Sequence, residues 1–135
     1  MATTIKQLLD KNKKAFDNAY YVETLSLSYI LINKALKQII KDELPQEIID
    51  QKTKTSSLIK FIKKEIISNP TIKTKLTKKV IKDMELFITL YKAIGKELKY
   101  QYPEKKISDT AHLGINCIVI LTKLVFKMTM QLMPR

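Results

Sequence analysis

The sequence predicts an all-α protein, an up-and-down helical bundle of four main helices joined by short connecting turns, and three observations predict it. Apolar residues recur at helical spacing along nearly the whole chain, and no segment alternates apolar and polar residues long enough to read as a strand. Only two glycines and four prolines occur in 135 residues, too few for a fold of many tight turns. Three of the prolines, Pro45, Pro70 and Pro103, cut the chain into four segments, because proline stops a helix and pushes the preceding residue out of the helical region. Pro134 only closes the chain. The length suits one domain over residues 1–135, and 45% hydrophobic residues are enough to fill its core.

The first helix is expected to open at Thr4, with Gln7 three residues on as its capping-box partner. Ile5, Leu8, Leu9, Asn12, Phe16 and Ala19 then follow one stripe. A longer helix runs from about Tyr20 to Lys41 on Val22, Leu25, Tyr29, Ile32, Leu36 and Ile39, with Leu27, Ile30, Leu31 and Ala35 widening the stripe. A helix apolar over so much of its girth is read as central. The join at Asp17–Tyr21 is a kink or a short turn. After Pro45, Ile48 and Ile49 read as a short helical turn and Gln51–Ser57 as a polar loop. Ser56 or Ser57 then caps a short helix carrying Leu58, Phe61, Ile62, Glu65 and Ile66 on one face, which Asn69-Pro70 ends. The third segment carries Leu76, Val80, Met84, Phe87, Leu90, Tyr91, Ile94 and Leu98. Gly95 lies inside it, at a cost of about 1 kcal/mol relative to alanine. The last helix is expected to start near Ser108, with Ile107 as a staple residue. It continues through Leu113, Cys117, Ile118, Leu121, Leu124, Val125 and Met128 to about Leu132.

The chain carries 25 Lys+Arg against 13 Asp+Glu, a formal charge of +12. Arg135 is its only arginine, and lysine and isoleucine together make nearly a third of the residues. Arginine is the preferred side chain for bidentate phosphate and base recognition. Lysine without it reads mainly as a solvated, compositionally biased surface. Two stretches read as more. Lys75, Lys78, Lys79 and Lys82 fall on one helical face at a helix start, where cations oppose the macrodipole. From Lys96 to Lys106, Tyr100 and Tyr102 interleave with Lys96, Lys99, Lys105 and Lys106, and aromatic faces flanked by cations stack a base and hold its phosphates. Lys60, Lys63 and Lys64 form a further basic group.

Catalytic chemistry has little to work with. One cysteine excludes a disulfide framework and a cysteine-based zinc site, and one histidine excludes most multi-histidine metal sites. Cys117, among Ile115, Ile118 and Ile120, reads as a small buried hydrophobe. Acidic residues are scattered, both glycines sit in helical segments rather than in a phosphate loop, and no cofactor or metal is implied. His112, with Asp109 three residues before it and Lys106 six before it, is the candidate for a proton-transfer group acting on a phosphodiester. The amino terminus has no apolar core of the kind a signal peptide carries, and Ile115–Leu121 is far short of the roughly 20 residues of a membrane span. A cytoplasmic protein is expected.

Three stretches resemble the HEPN superfamily, small helical bundles of prokaryotic defence, toxin–antitoxin and nucleotidyltransferase-associated systems. Tyr20–Leu25 through Tyr29–Lys37 is similar to the long second helix of that family. Thr55–Ile62 is similar to its short following helix. Leu90–Pro103 is similar to the end of its third core helix, where catalytic members carry Arg-Asn, three residues, then His ahead of a Tyr-Pro-like tail. Aligning Tyr102-Pro103 on that tail puts Gly95, Lys96 and Tyr100 where the family has Arg, Asn and His, so the ribonuclease motif is absent. The resemblance implies a non-catalytic member, a homodimer joined through the last helix, and at times a separate nucleotidyltransferase partner. The apolar residues Val119, Phe126, Met130 and Met133, outside the main stripe of the last helix, suggest a buried partner surface on their own account. The sequence therefore predicts a dimeric binding or interaction module without catalysis, with a nucleotide or RNA at Lys96, Lys99, Tyr100 and Tyr102. The alternatives are a protein-interaction bundle with no nucleic-acid role and a ribonuclease using His112.

Overall fold

The chain enters its first helix through a complete capping box. The Gln7 amide donates to Thr4 Oγ1 at 3.1 Å, and the Thr4 amide donates to Gln7 Oε1 at 2.8 Å. A computed structural model of the protein describes residues 4–43, 53–65, 76–97 and 104–126. Among these residues five α-helices follow one another: α1 (Ile5–Asp17), α2 (Tyr21–Glu43), α3 (Thr55–Glu65), α4 (Lys78–Glu97) and α5 (Glu104–Leu121). A π-helical turn, Thr122–Phe126, continues α5. No strand occurs among the described residues, and the architecture is the all-α bundle read from the sequence.

The join left open between kink and turn is a turn. Asn18, Ala19 and Tyr20 return their amides to Lys14, Phe16 and Ala15, at 3.1, 3.0 and 2.8 Å, so the last carbonyls of α1 are satisfied. Ala19 makes this possible at φ +61°, a left-handed conformation that a side chain adopts at some cost.

α2 is the central helix and touches every other described helix. Leu31, Ile32, Ala35 and Leu36 are wholly excluded from solvent, and the buried residues of α2 cover about half of its circumference at 100° per residue. Val22 and Ile30, read above as part of the apolar stripe, are instead 48% and 42% exposed. Val22 stands at the edge of the buried arc in the first turn, and Ile30 lies on the outward face opposite it.

Polar groups inside the bundle are mostly bonded close to home. The hydroxyls of Thr24, Thr110 and Thr122 donate to the carbonyls four residues back, Tyr20, Lys106 and Ile118. Asn12, fully buried in the α1 stripe, instead donates from Nδ2 across to Ser28 Oγ on α2 at 3.0 Å. This bond ties α1 to α2 through the Asn12 Nδ2 donor, while the buried Asn12 Oδ1 accepts no bond among the described residues.

α4 and α5 run antiparallel. Phe87 lies against Gly114, while Asp83 and Lys79, earlier on α4, act electrostatically on Cys117, later on α5. A Cβ built on Gly114 would come within 2.6 Å of the Phe87 ring. The missing side chain is what lets the ring, itself fully buried, sit between the two helices.

Two helix starts differ from the reading above. Ser56 and Ser57 lie inside the first turn of α3, where the Lys54 carbonyl accepts from the Ser57 and Leu58 amides at 3.0 and 3.1 Å. α5 opens at Glu104 rather than near Ser108, directly after Pro103 in sequence. An acidic first turn favours the helix dipole there. The expectations for Ile48, Ile49, Ile66, Asn69-Pro70, Leu98, Met128 and Leu132 lie outside the described residues.

The two glycines predict opposite responses. Gly114→Ala is expected to destabilise the protein by about 1–3 kcal/mol through overpacking against Phe87. Gly95, where an added Cβ meets no atom within 4 Å, is expected to gain about 0.5–1 kcal/mol as alanine. Urea unfolding of both variants checks the pair, and equal signs would contradict the packing described.

Candidate functional site

The described members of the lysine clusters singled out in the sequence stand apart. Lys78, Lys79 and Lys82 are exposed on the first turns of α4, and Lys105 and Lys106 are exposed on the first turn of α5. Because α4 and α5 are antiparallel, the two groups lie at opposite ends of the pair. Lys106 stands about 16 Å along α5 from Cys117, beside which the α4 cluster begins. Lys79 Nζ is 3.2 Å from Asp83 Oδ2, and Lys63 Nζ is 3.4 Å from Glu85 Oε1. Part of the basic surface is thus neutralised by acids on the same or the next helix. Lys96 belongs to the last turn of α4. Lys75, Lys99, Tyr100 and Tyr102 lie outside the described residues, as do Met130 and Met133.

His112 is two turns inside α5 rather than in its first turn. Its Nδ1 donates to the Ser108 carbonyl at 2.7 Å, so the backbone and not Asp109 orients the ring. The ring meets Phe16 edge-on at 4.9 Å and Tyr21 at 5.8 Å, a three-ring cluster that joins α1, α2 and α5. Lys106 is about 9 Å away along the axis and about 120° around it, so a Lys-x5-His pair does not converge on one point.

Cys117 is buried, and desolvation pushes its thiol up from 9.0 to about 12, the nearby Asp83 charge adding to the rise and Lys79 opposing it. Held protonated, it is a poor nucleophile. No group of three or more His, Cys, Asp or Glu residues positioned to hold a metal occurs among the described residues. No helix among them is long and apolar enough to cross a membrane.

Among the described residues, concave surface lies along the outward face of α2. Tyr29, Ile30, Asn33, Lys34 and Lys37 line an open depression of about 580 Å³. Ile5, Lys34, Lys37, Gln38, Lys41 and Val125 line a second of about 360 Å³. The two adjoin at Lys34 and Lys37, which line both. Each wall has a local cause. Lys34, Lys37 and Lys41 recur at i, i+3 and i+7, which places them on one helical face. Asn33 is held by donating from Nδ2 to Thr55 Oγ1 at the start of α3, at 2.8 Å. Tyr29 is stacked on Tyr91 of α4 at 4.5 Å and 15°, and Tyr91 in turn lies 6.1 Å from Phe87. Val125 comes from the π-helical turn, a geometry that is rare in proteins and frequent at functional sites.

Sequence reasoning missed this groove. Its lysine spacing is visible in the chain, but those lysines sit within an apolar helix, so they read as the polar edge of a core element and not as a site.

The Cys117 thiol carries a direct check. At pH 8 the folded chain is expected to react with iodoacetamide roughly a thousandfold more slowly than an ordinary thiol, and to react readily once unfolded. A thiol held protonated by the fold supports stability fully below about pH 9 and loses that support as pH rises toward 12. Cys117→Ala is expected to remove that part of the alkaline decline in a pH series of urea unfolding. No protein-family model, no curated protein and no solved structure matches the chain.

Proposed function

We propose that the chain is a non-catalytic helical binding module whose working surface is the outward face of α2, and that its ligand is anionic. One observation carries the reading: two adjoining depressions whose shared face bears Lys34, Lys37 and Lys41, bounded by Tyr29 and Ile30 in one and by Ile5 and Val125 in the other. Concave sites with a mostly apolar lining and a few convergent polar groups are the usual form of a binding site. Ammonium groups along a low-dielectric wall attract negative charge from solution.

The absence of catalysis in this reading is supported by the state of the two reactive side chains. Burial keeps Cys117 protonated, and His112 has one ring nitrogen committed to the Ser108 carbonyl and its ring committed to Phe16 and Tyr21. The non-catalytic HEPN-like assignment and the phosphates of a nucleotide or RNA as ligand belong to the same reading, carried by the residue pattern described above. A homodimer through the last helix belongs to the same reading, carried by the resemblance and by the apolar residues of that helix outside its main stripe.

Charge reversal separates the groove from the other lysines. Binding of inorganic polyphosphate, followed by titration calorimetry, is expected to weaken about tenfold or more in Lys34→Glu/Lys41→Glu, with a shallower salt dependence. The equivalent reversals Lys78→Glu/Lys82→Glu and Lys105→Glu/Lys106→Glu are expected to change it much less. An equal loss in all three variants would mean that the charge acts as a diffuse surface and that the groove is not the site.

A further inference from the structure

The outward face of α2 is divided along its length. Val22, Ser26, Ile30, Lys34, Lys37 and Lys41 fall within about 120° of the helix circumference. In the first half of this face Val22 and Ile30 are exposed by 48% and 42%, beside Glu23 and Ser26, and the second half is basic. Together they extend for about 28 Å, the length of five helical turns. Ile5 of α1 and Val125 of the π-helical turn add aliphatic walls beside the basic half.

Resting on the reading of this face as an anion-binding surface, we propose that its occupant is an acidic amphipathic helix of a partner protein. Such a helix would lay apolar side chains over Val22 and Ile30 and carboxylates over Lys34 and Lys41. A helix seated in a groove on apolar anchors, with charges at the rim setting its register, is a recurring mode of peptide recognition. The surroundings favour it over a polynucleotide. The exposed apolar groups of the face are aliphatic and offer no platform for stacked bases. Tyr29, the one aromatic side chain among the described residues lining the two depressions, already has a ring face against Tyr91. The cations among the described lining residues are all lysines, which lack the fork that makes bidentate phosphate contacts.

The face also sets a direction. Glu23 lies on it at the N-terminal turn of α2 and repels acidic residues from the apolar end. Acidic residues are favoured in the first turns of the partner helix as well. The partner therefore pairs its acidic N-terminal half with the basic C-terminal half of α2, antiparallel to it.

The test uses the full chain and two probes. One is a helix-forming peptide of about twenty residues with glutamates in its first half and leucines on the same face of its second half. The other is a single-stranded RNA oligonucleotide. The peptide is expected to bind, and its affinity to fall about tenfold in Lys34→Ala/Lys41→Ala and about fivefold or more in Ile30→Ser. RNA is expected to bind more weakly and to be indifferent to Ile30→Ser. Circular dichroism of each variant establishes that it folds. Peptide binding that ignores Ile30→Ser and Val22→Ser overturns the proposal. So does RNA that binds more tightly than the peptide and depends on Lys34 and Lys41, although the anionic reading of the face then stands. If neither probe binds, both readings fall.

Discussion

The contact between Phe87 and Gly114 sets the geometry on which the rest of the bundle is built. A glycine in the middle of α5 costs helix stability, and it is repaid by the room it makes for a fully buried aromatic ring from α4. The ring of Phe87 leads on to Tyr91, and Tyr91 stacks on Tyr29 of α2. A single chain of contacts thus runs from the inner face of α5, across α4, to the rim of the groove. Tyr29 is half-buried at that rim because of what lies behind it, and the shape of the groove depends on a residue that does not line it.

The groove exists because α2 is apolar over about half its surface and polar over a narrower arc. Neighbours take the apolar half: α1, α3, α4, α5 and the π-helical turn all reach it. The remaining arc stays outside, and its residues fall where the walls of α1 and the π-helical turn rise beside it. Charge and concavity meet there because the lysines on the arc have nowhere else to go. A π-helical turn at the end of α5 brings Val125 into that wall, where the side chain is half-buried against the core.

The reactive residues tell a consistent story of packing. Cys117 behaves as a small hydrophobe whose proton is held by burial, and the carboxylate of Asp83 strengthens that hold. His112 serves as the third ring of a cluster pinning the α1–α2 turn onto α5. Cys117 was read from the sequence as a small buried hydrophobe, and it is buried. His112, the candidate proton-transfer group, has its ring taken up by neighbours within the fold.

Much of the fold was legible in the chain. The Thr4/Gln7 capping box, the buried Asn12, Phe16, Met84 and Phe87, and the central position of the helix beginning at Tyr21 all follow from spacing and side-chain chemistry, which are local properties. The start of the last helix was misjudged by four residues, because Glu104 favours the helix dipole more than Ser108 favours a cap there. What sequence could not decide was which lysines share a concave surface. Lys78, Lys79 and Lys82 look like a cluster, and so do Lys105 and Lys106, but antiparallel packing of α4 and α5 sends them to opposite ends. Lys34, Lys37 and Lys41 look like the edge of a buried helix, yet Ile5 and Val125, distant in sequence, turn that edge into a groove. Periodicity fixes which face a residue occupies; only tertiary packing decides what stands opposite that face, and a site is made of both.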